Sequence, residues 1–400
     1  MRVAVVTESF LPTTNGVTNS VCKVLDHLRR HGHEAIVIVP AAGAPAEYAG
    51  FPVVQVPAVT YRQFPVGLPN AHMQRILADF APDVVHAASP FLLGASAIGA
   101  ARRLDIPSIA IFQTDVAGYA RRNRLGAATK LAWRVIRWIH NDASLTLVPS
   151  SASMIDLRKA GLKRLRRWGR GVDLVQYHPR NRSMPEAIAL REQLSPEGEV
   201  VVGYVGRFAP EKQIERLAAL RSIPHIKIVL VGGGPSMPQV KRALAGMPVT
   251  YLGELRGDAL AAAYASFDLF VHTGSEETFG QTLQEAHASG LPVVAPRSGG
   301  PIDLIDHGRN GFLFDPADDG SELAATVELL ARDPAMRHRM GEAGRRGVLG
   351  RSWESVCDEL LAHYNSVRLR SARMASVRAA ALQAAGARTR GRQPAGTKAS

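Results

Sequence analysis

Short apolar runs of four to six residues recur along this chain, separated by segments with helical periodicity, and that alternation constrains the fold more than any other feature. Apolar runs of this length bounded by turn residues are strands buried on both faces, and their alternation with helices builds parallel sheets. The first series predicts strands at Val3–Thr7, Ala35–Val39, Val53–Val56, Val84–Ala87, Ser108–Phe112 and Leu145–Pro149, with helices over Val17–Arg30, His72–Phe80 and Lys130–Ile139. A second series follows the basic, loop-like Leu162–Pro179, with strands at Val200–Val205, Ile226–Val231, Val249–Leu252, Leu269–Thr273 and Leu291–Ala295. The expected fold class is α/β, with two Rossmann-like, doubly wound parallel-sheet domains at 1–175 and 176–350 enclosing one ligand cleft. A C-terminal helix at 351–366, with Val356, Leu360, Leu361 and Tyr364 on one face, is expected to return to the N-terminal domain.

Charge separates the tail from the body. The chain carries +13, and eight of those charges lie in residues 367–400, which hold no acid, leaving +5 over the first 366 residues. This Ala, Gly, Ser and Arg-rich tail has few large apolar groups to bury and is expected to be disordered beyond about Arg378. It reads as a solvated tail or as one drawn to anionic lipid or nucleic acid. No apolar stretch reaches the ~18 residues of a spanning helix, and the N-terminus lacks a signal-peptide pattern, so a cytoplasmic protein is expected. Cys22 and Cys357 show no metal-ligand or disulfide spacing. His31-Gly32-His33 reads as a helix end rather than a metal site.

Five loops carry candidate chemistry. After the strand Leu269–Thr273, the run Gly274 to Gly290 places Glu277 in a loop and Glu285 two turns into a helix expected to start near Thr278. Two carboxylates so spaced accept hydroxyls about a sugar length apart, although acids also serve simply as helix caps. Gly206-Arg207-Phe-Ala-Pro-Glu211-Lys212 follows Val200–Val205, and its cations suit a leaving diphosphate, with an Arg207–Glu211 ion pair as the plain alternative. Gly299 and Gly300 before a short helix, Ile302–Asp306, suit phosphate oxygens or a mere turn, and Gly232-Gly-Gly-Pro235 reads as a turn. In the first half, Gly16 opens a helix and allows close backbone approach, while Gln113 and Asp115 end a strand.

Together these stretches resemble the retaining glycosyltransferases of family 4, which have the GT-B fold. The resemblance covers residues 1–366 and implies that Glu277 and Glu285 are the family's paired glutamates, with Arg207 and Lys212 on the diphosphate and Gly299 and Gly300 in the phosphate loop. Donor-binding residues implied are Gly16, Arg207, Lys212, Glu277, Phe279, Gly280, Glu285, Gly299 and Gly300; catalytic ones are Glu277, Arg207 and Lys212. Gln113 stands where many relatives have histidine and, with Asp115, is assigned to the acceptor or sugar side. Glu8-Ser-Phe-Leu-Pro, Gln113-Thr-Asp and His272-Thr-Gly-Ser-Glu-Glu-Thr-Phe look like actinobacterial GDP-mannose-dependent α-mannosyltransferases acting on glycolipids, of the lipoglycan or phosphatidylinositol mannoside type. The resemblance implies a GDP-mannose donor, no cofactor and no metal.

The acceptor side rests on Arg121-Arg-Asn-Arg124 followed by Lys130, Trp133, Arg134, Arg137 and Trp138, a helix suited to an anionic membrane interface or, alternatively, one packing its tryptophans in the core. A lipid-linked acceptor is therefore the expected partner, on the inner face of the plasma membrane, and no nucleic acid is expected because the body lacks an aromatic-basic pattern. A UDP-glucose-type donor and a nucleotide-sugar epimerase are the competing readings; the epimerase needs further acid/base groups that the sequence does not supply.

Overall fold

The computed structural model describes residues 1–13, 15–41, 43–61, 64–67, 72–88, 90–113 and 126–390, with side chains throughout except at 58–67, 126–129 and 382–390. The chain forms two compact units, one of Met1–Phe112, Val135–Thr146 and Glu359–Ser400 and the other of Gln113–Arg134 and Leu147–Asp358.

The first ten strands are β1 (Arg2–Thr7), β2 (Glu34–Pro40), β3 (Glu47–Tyr48), β4 (Phe51–Val56), β5 (Ala58–Tyr61), β6 (Phe64–Gly67), β7 (Val84–Ala88), β8 (Ser108–Ile111), β9 (Leu145–Val148) and β10 (Leu165–Arg167). Eight of them make one sheet in the order β10-β9-β8-β7-β1-β2-β4-β3, and β5 pairs with β6 in a separate antiparallel hairpin. β1 lies between β2 and β7, parallel to both, and its Val3, Ala4, Val5 and Val6 are fully buried. That burial on both faces explains the unbroken apolar run. Asn15 caps the helix Gly16–Arg30, accepting from the Val17 and Thr18 amides at 2.9 and 3.0 Å. Glu8, just past β1, caps the helix Leu92–Arg103 through the amides of Phe91, Leu93 and Gly94 at 3.1, 2.7 and 3.1 Å.

The second sheet holds β11 (Val200–Val205), β12 (Ile226–Val231), β13 (Val249–Gly253), β14 (Leu269–Val271), β15 (Val293–Pro296) and β16 (Gly311–Phe314), ordered β13-β12-β11-β14-β15-β16 and parallel throughout. Alternate residues of β11 feed two cores, Val201 and Val205 on one face, Val202 and Tyr204 on the other. The order reverses between β11 and β14, which is where a doubly wound sheet binds its ligand. Gly232-Gly-Gly-Pro235 is the expected turn: at Gly232 a Cβ would lie 2.0 Å from the Gly206 carbonyl oxygen.

Three expectations are corrected. The C-terminal helix does not stop at Ser366, nor does order end near Arg378: it runs Trp353–Arg390. Alanine, arginine, leucine, methionine and glutamine are strong helix formers, and no glycine precedes Gly386, so backbone propensity wins although the surface is too polar to pack. From Glu359 on the helix belongs to the first unit, where Leu360, Tyr364 and Val367 are buried and the Tyr364 hydroxyl meets His86 Nδ1. Within the supposed loop Leu162–Pro179, Leu165–Arg167 is a strand, its buried Leu165 flanked by exposed arginines.

Candidate active site

Two loops leave the carboxyl ends of β11 and β14. The first passes Arg207 and a 3-10 turn, Pro210–Lys212, before bending at Gln213, whose φ is +47°. The second runs from His272 to Gly280 and enters the helix Gln281–Ala288. They are stitched together: Thr273 Oγ1 donates to the Lys212 carbonyl at 2.7 Å, and Gln213 Oε1 accepts from the Ser275 amide and hydroxyl at 3.3 and 3.0 Å. The helix starts at Gln281 rather than near Thr278, because Gly280 has φ +99°, outside the right-handed helical region.

Between these loops Lys212 Nζ donates to Glu277 Oε2 at 2.5 Å, the side chains 23% and 18% exposed. Burial opposes charge on Glu277, but the Lys212 ammonium, His272 and the Phe279 amide outweigh it and take the carboxyl down to about 2. Glu277 is therefore ionised at any working pH. His272 is 2% exposed, with Nε2 3.9 Å from the same Oε2. Burial outweighs the pull of Glu277 and of the Gly274 backbone and takes the imidazole to about 4, so the ring is neutral, and neither nitrogen makes a well-formed hydrogen bond among the described residues.

Glu285 behaves oppositely. Burial pushes its carboxyl up to about 7, although the Tyr264 hydroxyl donates to Oε2 at 2.9 Å and Gln281 Nε2 to Oε1 at 3.5 Å. The two acids thus differ in charge at neutral pH, Glu277 fixed and Glu285 titrating. Gln281 and Gln284 also hold the distant segment 170–171, donating to the carbonyls of Gly171 and Arg170 at 3.1 and 2.9 Å.

Gly299 and Gly300 sit against this acidic loop. The Gly300 amide donates to the Glu277 carbonyl at 2.7 Å; a Cβ at Gly299 (φ +64°) would lie 2.2 Å from that oxygen, and one at Gly300 2.3 Å from the Phe279 carbonyl oxygen. The pair is required for close backbone packing, and the Gly300 N–H is already engaged there. Phe279 is buried. Arg207 is exposed and forms no ion pair with Glu211 among the described residues. Gly16 opens its helix in the first unit. Gln113 Oε1 accepts from Arg170 at 2.8 Å, whereas Asp115 and Arg121–Arg124 lie outside the described residues.

Sequence reasoning missed Arg170 and His272. Burial lowers the Arg170 guanidinium and the charge of Glu277 counteracts it, so the two groups are within electrostatic reach. The available signal for His272 was a lone polar ring at the end of an apolar strand.

The family description "Glycosyltransferase Family 4" matches residues 14–176, and "Glycosyl transferases group 1" matches residues 187–347. A GDP-mannose-dependent alpha-mannosyltransferase of Mycolicibacterium smegmatis is 48% identical over 378 residues, covering 92% of this chain and 98% of the relative. The chain belongs to glycosyltransferase family 4. Another relative of this family 4 glycosyltransferase, the alpha-monoglucosyldiacylglycerol synthase of Acholeplasma laidlawii, is 25% identical, covering 78% of this chain and 85% of its own. Among solved structures, Anabaena HepE in complex with UDP superposes with a TM-score of 0.77 at 22% identity, over 92% of this chain and 100% of that one. The two parallel sheets are those of the GT-B fold.

Proposed function

We propose that this glycosyltransferase moves mannose from GDP-mannose, with retention of configuration, onto a glycolipid at an anionic membrane surface. The Lys212–Glu277 pair at the switch point of the second sheet carries the reading, and the identity to the M. smegmatis enzyme supports the donor. Lys212 and Arg207 neutralise the diphosphate as the sugar–phosphate bond breaks, in place of a divalent ion. The ionised Glu277 accepts hydroxyls of the transferred mannose, and Glu285 those of the ribose. The acceptor oxygen attacks the face that GDP leaves, and its proton passes to a diphosphate oxygen.

The helix Gly126–Asp142 supports a membrane-borne acceptor. Lys130, Leu131, Arg134, Arg137 and Trp138 form an exposed strip, Leu131 and Trp138 being 59% and 61% exposed, while Ile136 and Ile139 are buried. Trp133 is half-buried, so the helix divides its tryptophans between the two expected environments. The diacylglycerol in the name of the A. laidlawii relative points to lipid acceptors in the family. No helix of the described residues is long and apolar enough to cross a membrane.

Incubation with labelled GDP-mannose or UDP-glucose, with and without EDTA, tests donor and metal together. Mannose in the lipid phase as an α-glycoside, undiminished by chelation, is expected. Transfer only from UDP-glucose overturns the donor, and loss with EDTA that magnesium or manganese restores overturns the metal-free mechanism.

A further inference from the structure

The site as it stands contains a conflict. If Lys212 is to meet the diphosphate and Glu277 the sugar, the ammonium must share or leave the oxygen it holds at 2.5 Å. Glu277 is 18% exposed, and a carboxylate so enclosed that loses its cation either takes up a proton or needs another donor. One group is placed to be that donor. His272 is 2% exposed, its Nε2 is 3.9 Å from the same oxygen, and neither ring nitrogen makes a well-formed hydrogen bond among the described residues, the Gly274 backbone being a weaker neighbour. A buried imidazole N–H without a well-formed hydrogen bond gains from a better acceptor, and Glu277 Oε2 lies 3.9 Å away.

The surroundings allow the approach. His272 follows β14 directly and is held by the strand ladder, its amide donating to the Val294 carbonyl at 2.8 Å. Gly274 packs against the Lys212 loop, where a Cβ would lie 2.8 Å from the Glu211 carbonyl oxygen, and its backbone runs beside the His272 ring. Closing 3.9 Å to a hydrogen bond of about 2.9 Å takes a shift of about 1 Å.

We propose that His272 is a positioning residue: when Lys212 turns from Glu277 to the donor diphosphate, the His272 Nε2–H takes over Glu277 Oε2 and keeps the carboxylate ionised and aimed at the donor sugar. The imidazole stays neutral throughout and acts only as a hydrogen-bond donor. The inference rests on the donor-site reading above.

The test compares His272→Phe, which keeps a ring and removes the N–H, with His272→Gln, whose amide reaches about as far as Nε2. With GDP-mannose and lipid acceptor, His272→Phe is expected to lower kcat roughly tenfold to a hundredfold, the scale of one hydrogen bond to a charged group. Donor KM should stay within about twofold, the acid limb of the kcat–pH profile should move upward, and His272→Gln should restore most of both. Wild-type kcat and acid limb in His272→Phe overturn the proposal. So does a joint fall of kcat, KM performance and Tm that glutamine does not rescue, which is the mark of a purely structural ring. Glu277→Gln, assayed beside them, separates the two levels: full activity there sinks the donor-site reading itself, whereas an inactive Glu277→Gln with an indifferent His272→Phe sinks only the exchange.

Discussion

Lys212 and Glu277 neutralise one another in a partly enclosed site, so removing either has two effects. Lys212→Ala takes away the cation for the diphosphate and leaves a carboxylate whose charge burial opposes. We expect kcat/KM to fall at least about a hundredfold and the Glu277 carboxyl to rise from about 2, visible as a new acid limb in the rate profile. Glu285 offers a cleaner pH signature. Its native value of about 7 exceeds the ordinary 4.5, so the folded protein binds that proton more tightly than the unfolded one. Its contribution is retained below about 4.5 and lost as pH rises toward 7. Thermal melts between about pH 5 and about pH 8 should show Glu285→Gln losing less Tm on the alkaline side than wild type. Donor KM of the wild type should fall across the same range as the carboxylate forms, and that of Glu285→Gln should stay flat.

At the scale of elements, the glycine pair supports the acidic loop. Gly300→Ala drives a Cβ against the Phe279 carbonyl, so we expect a loss of about 1–3 kcal/mol in a denaturant melt and a larger proportional loss of kcat/KM, because the displaced loop carries Glu277. Much of this scale was legible in the chain. Val200–Val205 and Ile226–Val231 coincide with β11 and β12, since long apolar runs buried on both faces leave no ambiguity. Gly311–Phe314 escaped notice because four residues after Asn310 offer too short a pattern, and Leu165–Arg167 because exposed arginines flank one buried leucine. At the site, Glu277 and Lys212 could be named from loop position and charge. The different charge states of Glu277 and Glu285 could not: they depend on which groups each acid faces, and Tyr264 and Lys212 approach from elements distant in sequence.

For the whole molecule, the basic excess includes the C-terminal segment, the stretch 162–179 and the exposed strip of Gly126–Asp142. Co-sedimentation with vesicles containing an anionic phospholipid should weaken as salt rises, and should weaken further in an Arg134→Ala, Arg137→Ala, Trp138→Ala triple variant by about 1 kcal/mol per cation. Equal binding to neutral vesicles and an unchanged triple variant would remove the helix from the membrane-binding role.

The Tyr364 hydroxyl against His86 has a consequence for biosynthesis. β7 and its histidine leave the ribosome early, but the segment from Glu359 that fills the same unit emerges almost three hundred residues later. The half of the enzyme that is translated first is thus completed last, and a nascent chain halted at Asp358 holds an unfinished first half beside a second half whose residues are all present.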